Sequence, residues 1–133
     1  MYYFSKTSKA RLETCHLFIQ DWLSEIIKWR DCTVAWGHRG EKDQNEMFAE
    51  GLSKCRYPDS KHNSNPSLAV DVYPYANGRM INGDEKGDEV LIAGFIGFAQ
   101  AVAAIRGIPI QSASEWKNFK GDLGHWELYG DIW

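Results

Sequence analysis

The fold class predicted by this sequence is α+β, in one domain. Segments with apolar residues every three or four positions are interleaved with short stretches that alternate apolar and polar residues, and no repeat or low-complexity tract divides them. At 133 residues the chain is long enough for a real core and too short for two ordinary domains and a linker, so residues 1–133 read as one unit. The 44% hydrophobic, 14% aromatic and 25% charged composition is globular.

Ser5, Thr7 and Ser8 offer N-cap hydroxyls ahead of Leu12, Cys15, His16, Ile19, Leu23, Ile26 and Ile27, whose spacing predicts one helix ending near Trp29. His16 lies on or beside that apolar face and reads as a packed histidine in preference to a ligand. Residues 33–36 form a strand and 37–40 a turn. A second helix follows over 41–53, with Gln44, Met47 and Phe48 on one face; Gln44 is read as a tethering amide, or as the group that holds the Arg39 turn. Residues 54–67 are dense in turn formers and predict an ordered loop.

Residues 68–73 are the next strand, with Ala69, Asp71 and Tyr73 on one face, ended or marked as an edge by Pro74. An acidic, glycine-rich connection over 77–88 contains a small hairpin at its start. Its Asp84, Glu85, Asp88 and Glu89 fit no EF-hand spacing and read as helix N-terminal acids. The third helix, 88–106, is apolar nearly all round, which predicts packing on several sides. Gly107 stops it, 108–111 is a strand, 112–120 a loop, and 123–129 a last strand with His125, Glu127 and Tyr129 on one face.

A formal charge of -3 and a pI near 5.8 exclude nucleic acid as the main partner and disfavour adhesion to anionic membranes. No secretory signal is readable at the N-terminus, and the apolar run 90–105 is interrupted and too short to span a bilayer, so a soluble protein without stable membrane insertion is expected. Cys15, Cys32 and Cys55 form no CxxC pair and read as small hydrophobes in a reducing compartment. Six tryptophans are either core or a carbohydrate-stacking surface, and core is the reading for most of them.

Asp71, between Val70 and Val72, demands a counter-charge if its strand is buried. A metal shared with His62 is one answer and a salt bridge the other. His62, Asp71 and His125 together supply two imidazoles and a carboxylate, the donor set of a catalytic zinc site with an open position. Asp122, three residues before His125, is placed either to take a proton from metal-activated water or to serve a turn. Arg39, on a glycine-flanked turn, is either an anion or oxyanion partner or a surface salt-bridge residue. The residues by themselves leave both readings open at each position.

The succession Gly37-His38-Arg39, Gln44, Met47-Phe48, Gly51, Ser60-Lys61-His62, Ala69-Val70-Asp71 and Asp122-Leu123-Gly124-His125 resembles the M15 metallopeptidases. That family includes D-alanyl-D-alanine carboxypeptidases and the L-alanyl-D-glutamate endopeptidases used as phage endolysins; the resemblance covers residues 33–129 and is strongest to the endolysin branch. It implies helices packed on a small antiparallel sheet, as in the hedgehog signalling domain. His62, Asp71 and His125 are implied as Zn2+ ligands, Asp122 as general base and acid, and Arg39 as the electrostatic partner of substrate or transition state. Ser60 and Gln44 are implied as substrate-side or supporting residues.

The activity implied is zinc-dependent hydrolysis of an amide bond in the peptidoglycan stem peptide, foremost the L-alanyl-D-glutamate bond. A D-Ala-D-Ala carboxypeptidase and a non-catalytic, metal-stabilised wall-binding module are the alternatives. A monomer is implied, held in the host cytoplasm and released by a separate pore-forming protein. Three features depart from the commoner family pattern. Asp71 stands nine residues after His62, two more than usual; His38 replaces an aromatic; and 112–115 lacks the usual glycines and aspartate before Trp116.

Overall fold

A computed structural model describes residues 1–115 and 123–132. The chain begins with helix α1, Lys6–Leu12, whose N-cap Ser5 accepts from the Ser8 N–H. Helix α2, Leu17–Ile26, follows after a break. The single helix predicted to end near Trp29 is therefore two. The cause is a distant residue: Ser67 N–H donates to the Thr14 carbonyl and His16 N–H donates to the Ser67 carbonyl, each at 2.9 Å. With its backbone drawn aside there, the chain restarts its helix on a new cap. His16 supplies it, Nδ1 accepting from Phe18 N–H at 3.0 Å, so this histidine is a helix cap and not a packed core side chain.

Strand β1, Cys32–Trp36, leads through the Gly37–Gly40 turn into α3, Glu41–Ala49. That helix stops short of residue 53 because Gly51 takes a left-handed conformation (φ 75°), and Leu52 N–H turns back to the Met47 carbonyl. Strand β2, Ala69–Ala76, continues through Pro74 instead of ending there. The proline carbonyl accepts from Ile81 N–H at 2.8 Å, at the end of the pairing of 75–76 with 79–80, and the other antiparallel partner on that side pairs only with 69–71, so the missing N–H falls between two ladders. Asn77 and Gly78, with φ 55° and 78°, make the expected hairpin turn into β3, Arg79–Met80.

Helix α4 is Asp88–Arg106, as its periodicity predicts. Buried Asp88 gathers the acidic connection: it accepts from the Arg79 guanidinium at 2.6 and 3.1 Å and from the Gly83 and Glu85 N–H groups. Those bonds, from Arg79 foremost, hold its carboxyl below the usual range despite burial. The packing expectation for α4 needs correction. Ile92, Phe95, Ala99 and Val102 are buried, whereas Val90 is 70% and Ile105 85% exposed. Its outward positions Ala93, Gly94, Gly97, Ala101 and Ala104 are small and exposed, so the all-round apolar look reflects small residues and not burial.

Strands β4, Ile110–Ser112, and β5, His125–Leu128, complete an antiparallel sheet ordered β1-β2-β5-β4, with β3 hung on β2. One face packs Val34, Val70, Val72, Trp126 and Leu128 against Ile19, Trp22, Leu23 and Ile26 of α2 and against α4. Trp22 and Trp126 meet at 4.7 Å between ring centroids, and the Trp22 indole donates to the Ala99 carbonyl. Buried Cys15 and Cys32 have thiols pushed up by desolvation, Cys15 to about 12, so both are protonated apolar packing groups at neutral pH. The opposite face carries Asp71, His125 and Glu127.

Candidate metal centre

The three predicted ligands come from three elements and meet. Asp71 and His125 are paired neighbours across β2 and β5, so sheet register alone sets them side by side. His62 arrives on a short 3-10 helix, Lys61–Asn63, opened by a reciprocal cap: Ser60 Oγ accepts from His62 N–H, and Asn63 Oδ1 accepts from Ser60 N–H. This helix is fastened to the end of β1. His62 Nδ1 donates to the Gly37 carbonyl at 2.8 Å, and Arg39 N–H donates to the His62 carbonyl at 2.8 Å.

Two glycines are required by close approach. A Cβ on Gly37 would lie 2.4 Å from the Arg11 carbonyl and the Thr14 hydroxyl, so any larger residue would push the His62 anchor away from α1. A Cβ on Gly124 would lie 2.4 Å from the Tyr73 ring, immediately before His125.

His62 Nε2, Asp71 Oδ1 and His125 Nδ1 form a triangle with sides of 3.2, 3.1 and 3.3 Å. A tetrahedral ion with bonds of about 2.0 Å requires donors about 3.3 Å apart. The remaining nitrogens are both engaged, His62 Nδ1 on Gly37 and His125 Nε2 on Glu127 Oε1 at 3.0 Å. With an ion bound, each ring would give its outward N–H to a fixed acceptor and turn a lone pair inward, the arrangement metal-ligating histidines adopt. The residues fit a metal ion with nitrogen and oxygen preference, and among the described residues this is the cluster of metal-ligating side chains able to take one.

The electrostatics agree. Burial would raise the Asp71 carboxyl, but hydrogen bonds and charge from His125 and His62 outweigh it and hold it well below the usual carboxylate range. Burial would lower His125, yet its bonds to Asp71 and Glu127 raise it to about 9. Without metal, a proton on His125 thus neutralises the carboxylates that a cation would otherwise serve.

Behind the triangle, buried Arg39 places Nη2 3.3 Å from Asp71 Oδ2 and Nη1 3.1 Å from Gln44 Oε1, with its guanidinium 4.7 Å from the Trp36 ring. Gln44, fully buried, donates in turn to Ser53 Oγ and the Cys55 carbonyl. The turn-holding reading of Gln44 describes its contacts. Arg39 pairs with Asp71 inside the protein instead of at the surface, and Ser60 and Gln44 are placed as cap and brace behind the ligands.

The long loop between His62 and Asp71 bulges away from the site and is tied down at the α1–α2 joint. Ser67 makes the two bonds that break the predicted helix, and His38 Nδ1 donates to the Ser64 carbonyl at 2.9 Å. Asp122, the expected base, lies outside the described residues.

One residue had been given no role by sequence reasoning. Glu127 accepts from His125 through Oε1, and its Oε2 lies 3.1 Å from Lys61 Nζ, linking the strand of one ligand to the 3-10 helix of another. Its signal was present in the alternation that set His125 and Glu127 on one strand face.

A carboxylate and two inward-facing imidazoles on the open face of a small antiparallel sheet define the layout of a metal-dependent hydrolase. The sequence matches the family described as "Phage L-alanyl-D-glutamate peptidase" over residues 1–126, and the chain belongs to that family of peptidoglycan peptidases. No curated protein matches the sequence. The fold is similar to that of the Serratia marcescens L-Ala D-Glu endopeptidase ChiX, with a TM-score of 0.76 and 23% identity, covering 96% of this chain and 90% of that one.

Proposed function

We propose that the protein is a zinc-dependent endopeptidase that hydrolyses the L-alanyl-D-glutamate bond of the peptidoglycan stem, and that it serves as a phage endolysin. The observation that carries the metal assignment is the donor triangle, each imidazole held from behind by an acceptor on its outward nitrogen. His62, Asp71 and His125 would hold the ion, and two nitrogens with one carboxylate oxygen favour zinc. When bound, zinc supplies Lewis acidity toward a peptide carbonyl and makes water a nucleophile near neutral pH.

The chain's own groups do the rest. Arg39 orients Asp71 through their ion pair and adds positive charge behind the site that favours the oxyanion forming on the scissile carbonyl. Gln44, Ser60 and Asn63 fix Arg39 and His62. Asp122, assigned from the family resemblance, takes the proton from the attacking water and returns it to the leaving amine. Accumulation in the host cytoplasm and release through a separate pore-forming protein accompany this reading.

The test is Asp122→Asn. The variant is expected to bind one metal ion per chain as the wild type does, while hydrolysis of purified peptidoglycan falls by about 10²- to 10⁴-fold. Wild-type turnover by the variant would remove Asp122 from the mechanism.

A further inference from the structure

Trp36 ends β1 on the side away from the core. Strict alternation would send it inward with Cys32 and Val34, which are 3% and 0% exposed. The ladder with β2 shifts between Val34 and Trp36: Val34 pairs with Val72, and Trp36 pairs with Asp71, the adjacent residue of β2. That bulge adds one unpaired residue, Ala35, and turns the indole onto the open face of the sheet. The ring is partly exposed, and it meets the Arg39 guanidinium at 4.7 Å on the side where Arg39 pairs with Asp71.

Register then sets three residues in one row across the sheet. Trp36 on the edge strand β1 pairs with Asp71 on β2, and Asp71 pairs with His125 on β5. Paired residues point to the same face with Cα atoms about 5 Å apart, so the indole stands directly beside the ligands on the β1 side. Beyond His125 the same face is polar, with Glu127, the Lys61 ammonium against it, and Gln111, which pairs with Glu127 from β4. A substrate held over the ligands meets an apolar wall toward β1 and charged groups toward β4.

The two sides of an L-alanyl-D-glutamate bond differ in the same sense. Its acyl side carries one methyl group, two bonds from the carbonyl carbon that is attacked. Its amine side carries the carboxyl groups of D-glutamate. An apolar ring complements the methyl, whereas a carboxylate set against it would lose water and gain no partner. Arg39 behind the ring does not serve such a carboxylate, because Asp71 and Gln44 already engage it.

We infer that Trp36 is a specificity-determining residue: its ring walls the cleft on the β1 side, receives the alanine methyl of the acyl residue and excludes larger side chains there. The inference rests on the endopeptidase reading. The measurement is kcat/KM on two soluble stem peptides that differ only in the residue before D-glutamate, L-alanine or L-leucine.

The wild type is expected to favour the L-alanyl peptide by about 10²-fold. Trp36→Ala should lower that preference about tenfold or more, and Trp36→Phe, which keeps a ring over Arg39, should lower it less. A purely structural role would slow both substrates alike and leave their ratio at the wild-type value in both variants, which overturns the inference and leaves the endopeptidase reading standing. Titration of the isotope-labelled wild type needs neither variant. N-acetylmuramoyl-L-alanine, the acyl-side product, should shift the Trp36 indole resonance saturably, and free D-glutamyl peptide should not. A shift caused by the D-glutamyl product alone, or by neither product, overturns the inference. Wild-type protein that cleaves neither peptide overturns the endopeptidase reading, and the inference with it.

Discussion

Asp71→Asn is expected to leave the purified protein without stoichiometric metal and to lower peptidoglycan hydrolysis by about 10³-fold or more. The substitution is nearly isosteric, so shape is preserved and charge is what changes. Asp71 Oδ1 faces His62 and His125 at 3.2 and 3.1 Å while Oδ2 faces Arg39 at 3.3 Å, so one carboxylate serves both the metal side and the buried guanidinium. Removing its charge takes the ion pair with Asp71 from Arg39, which is 3% exposed, and breaking a buried ion pair from one side typically costs about 3–5 kcal/mol. The chelated variant should therefore melt below the chelated wild type. An asparagine variant that retains one equivalent of metal would show that Asp71 is a salt-bridge residue alone.

Glu127→Ala is the second large effect, and it separates holding the metal from doing chemistry. Glu127 fixes which nitrogen of His125 bears the proton, and Lys61 fixes Glu127. Loss of such an acceptor behind a ligating histidine weakens metal affinity by about 10- to 100-fold. Competition with a chromophoric chelator should register that loss, while saturating metal restores most of the activity. Glu127→Gln, which keeps an acceptor oxygen, should lose less. Unchanged affinity in Glu127→Ala would mean that the contact with His125 does not bear on the ion.

Much of this arrangement is legible in the residues because it depends on short-range rules. The strand around Asp71, the hairpin at Asn77-Gly78 and the extent of α4 follow from alternation and turn chemistry, while donor type only nominates the ligand trio and the family resemblance selects it. What is not legible depends on partners remote in sequence. The apolar stripe from Leu12 to Ile27 runs unbroken through a helix break, because Ser67, far along the chain, supplies the bonds that open it. The same bonds explain why the extra residues between His62 and Asp71 are harmless to the site. Pro74 sits mid-strand because its missing N–H falls between the stretch paired with β5 and the stretch paired with β3, which no local pattern reports. For α4, the apolar count misleads because alanine and glycine add apolarity without needing cover.

Lys61 and Glu127 illustrate the same limit inside the site. Alternation sets Glu127 beside His125, but only the fold brings Lys61 against it from a loop 66 positions earlier. The buried Arg39 likewise looks like a surface cation on a glycine turn until Gln44 and Asp71 close around it.

The central claim is that one zinc ion, held by His62, Asp71 and His125, works on the L-alanyl-D-glutamate bond. Metal analysis of the purified protein, paired with mass spectrometry of the muropeptides it releases, tests both halves together. About one zinc per chain is expected, with products that leave L-alanine on the sugar and a free peptide beginning with D-glutamate. Protein that digests peptidoglycan without bound metal, or that releases only terminal D-alanine, would contradict it.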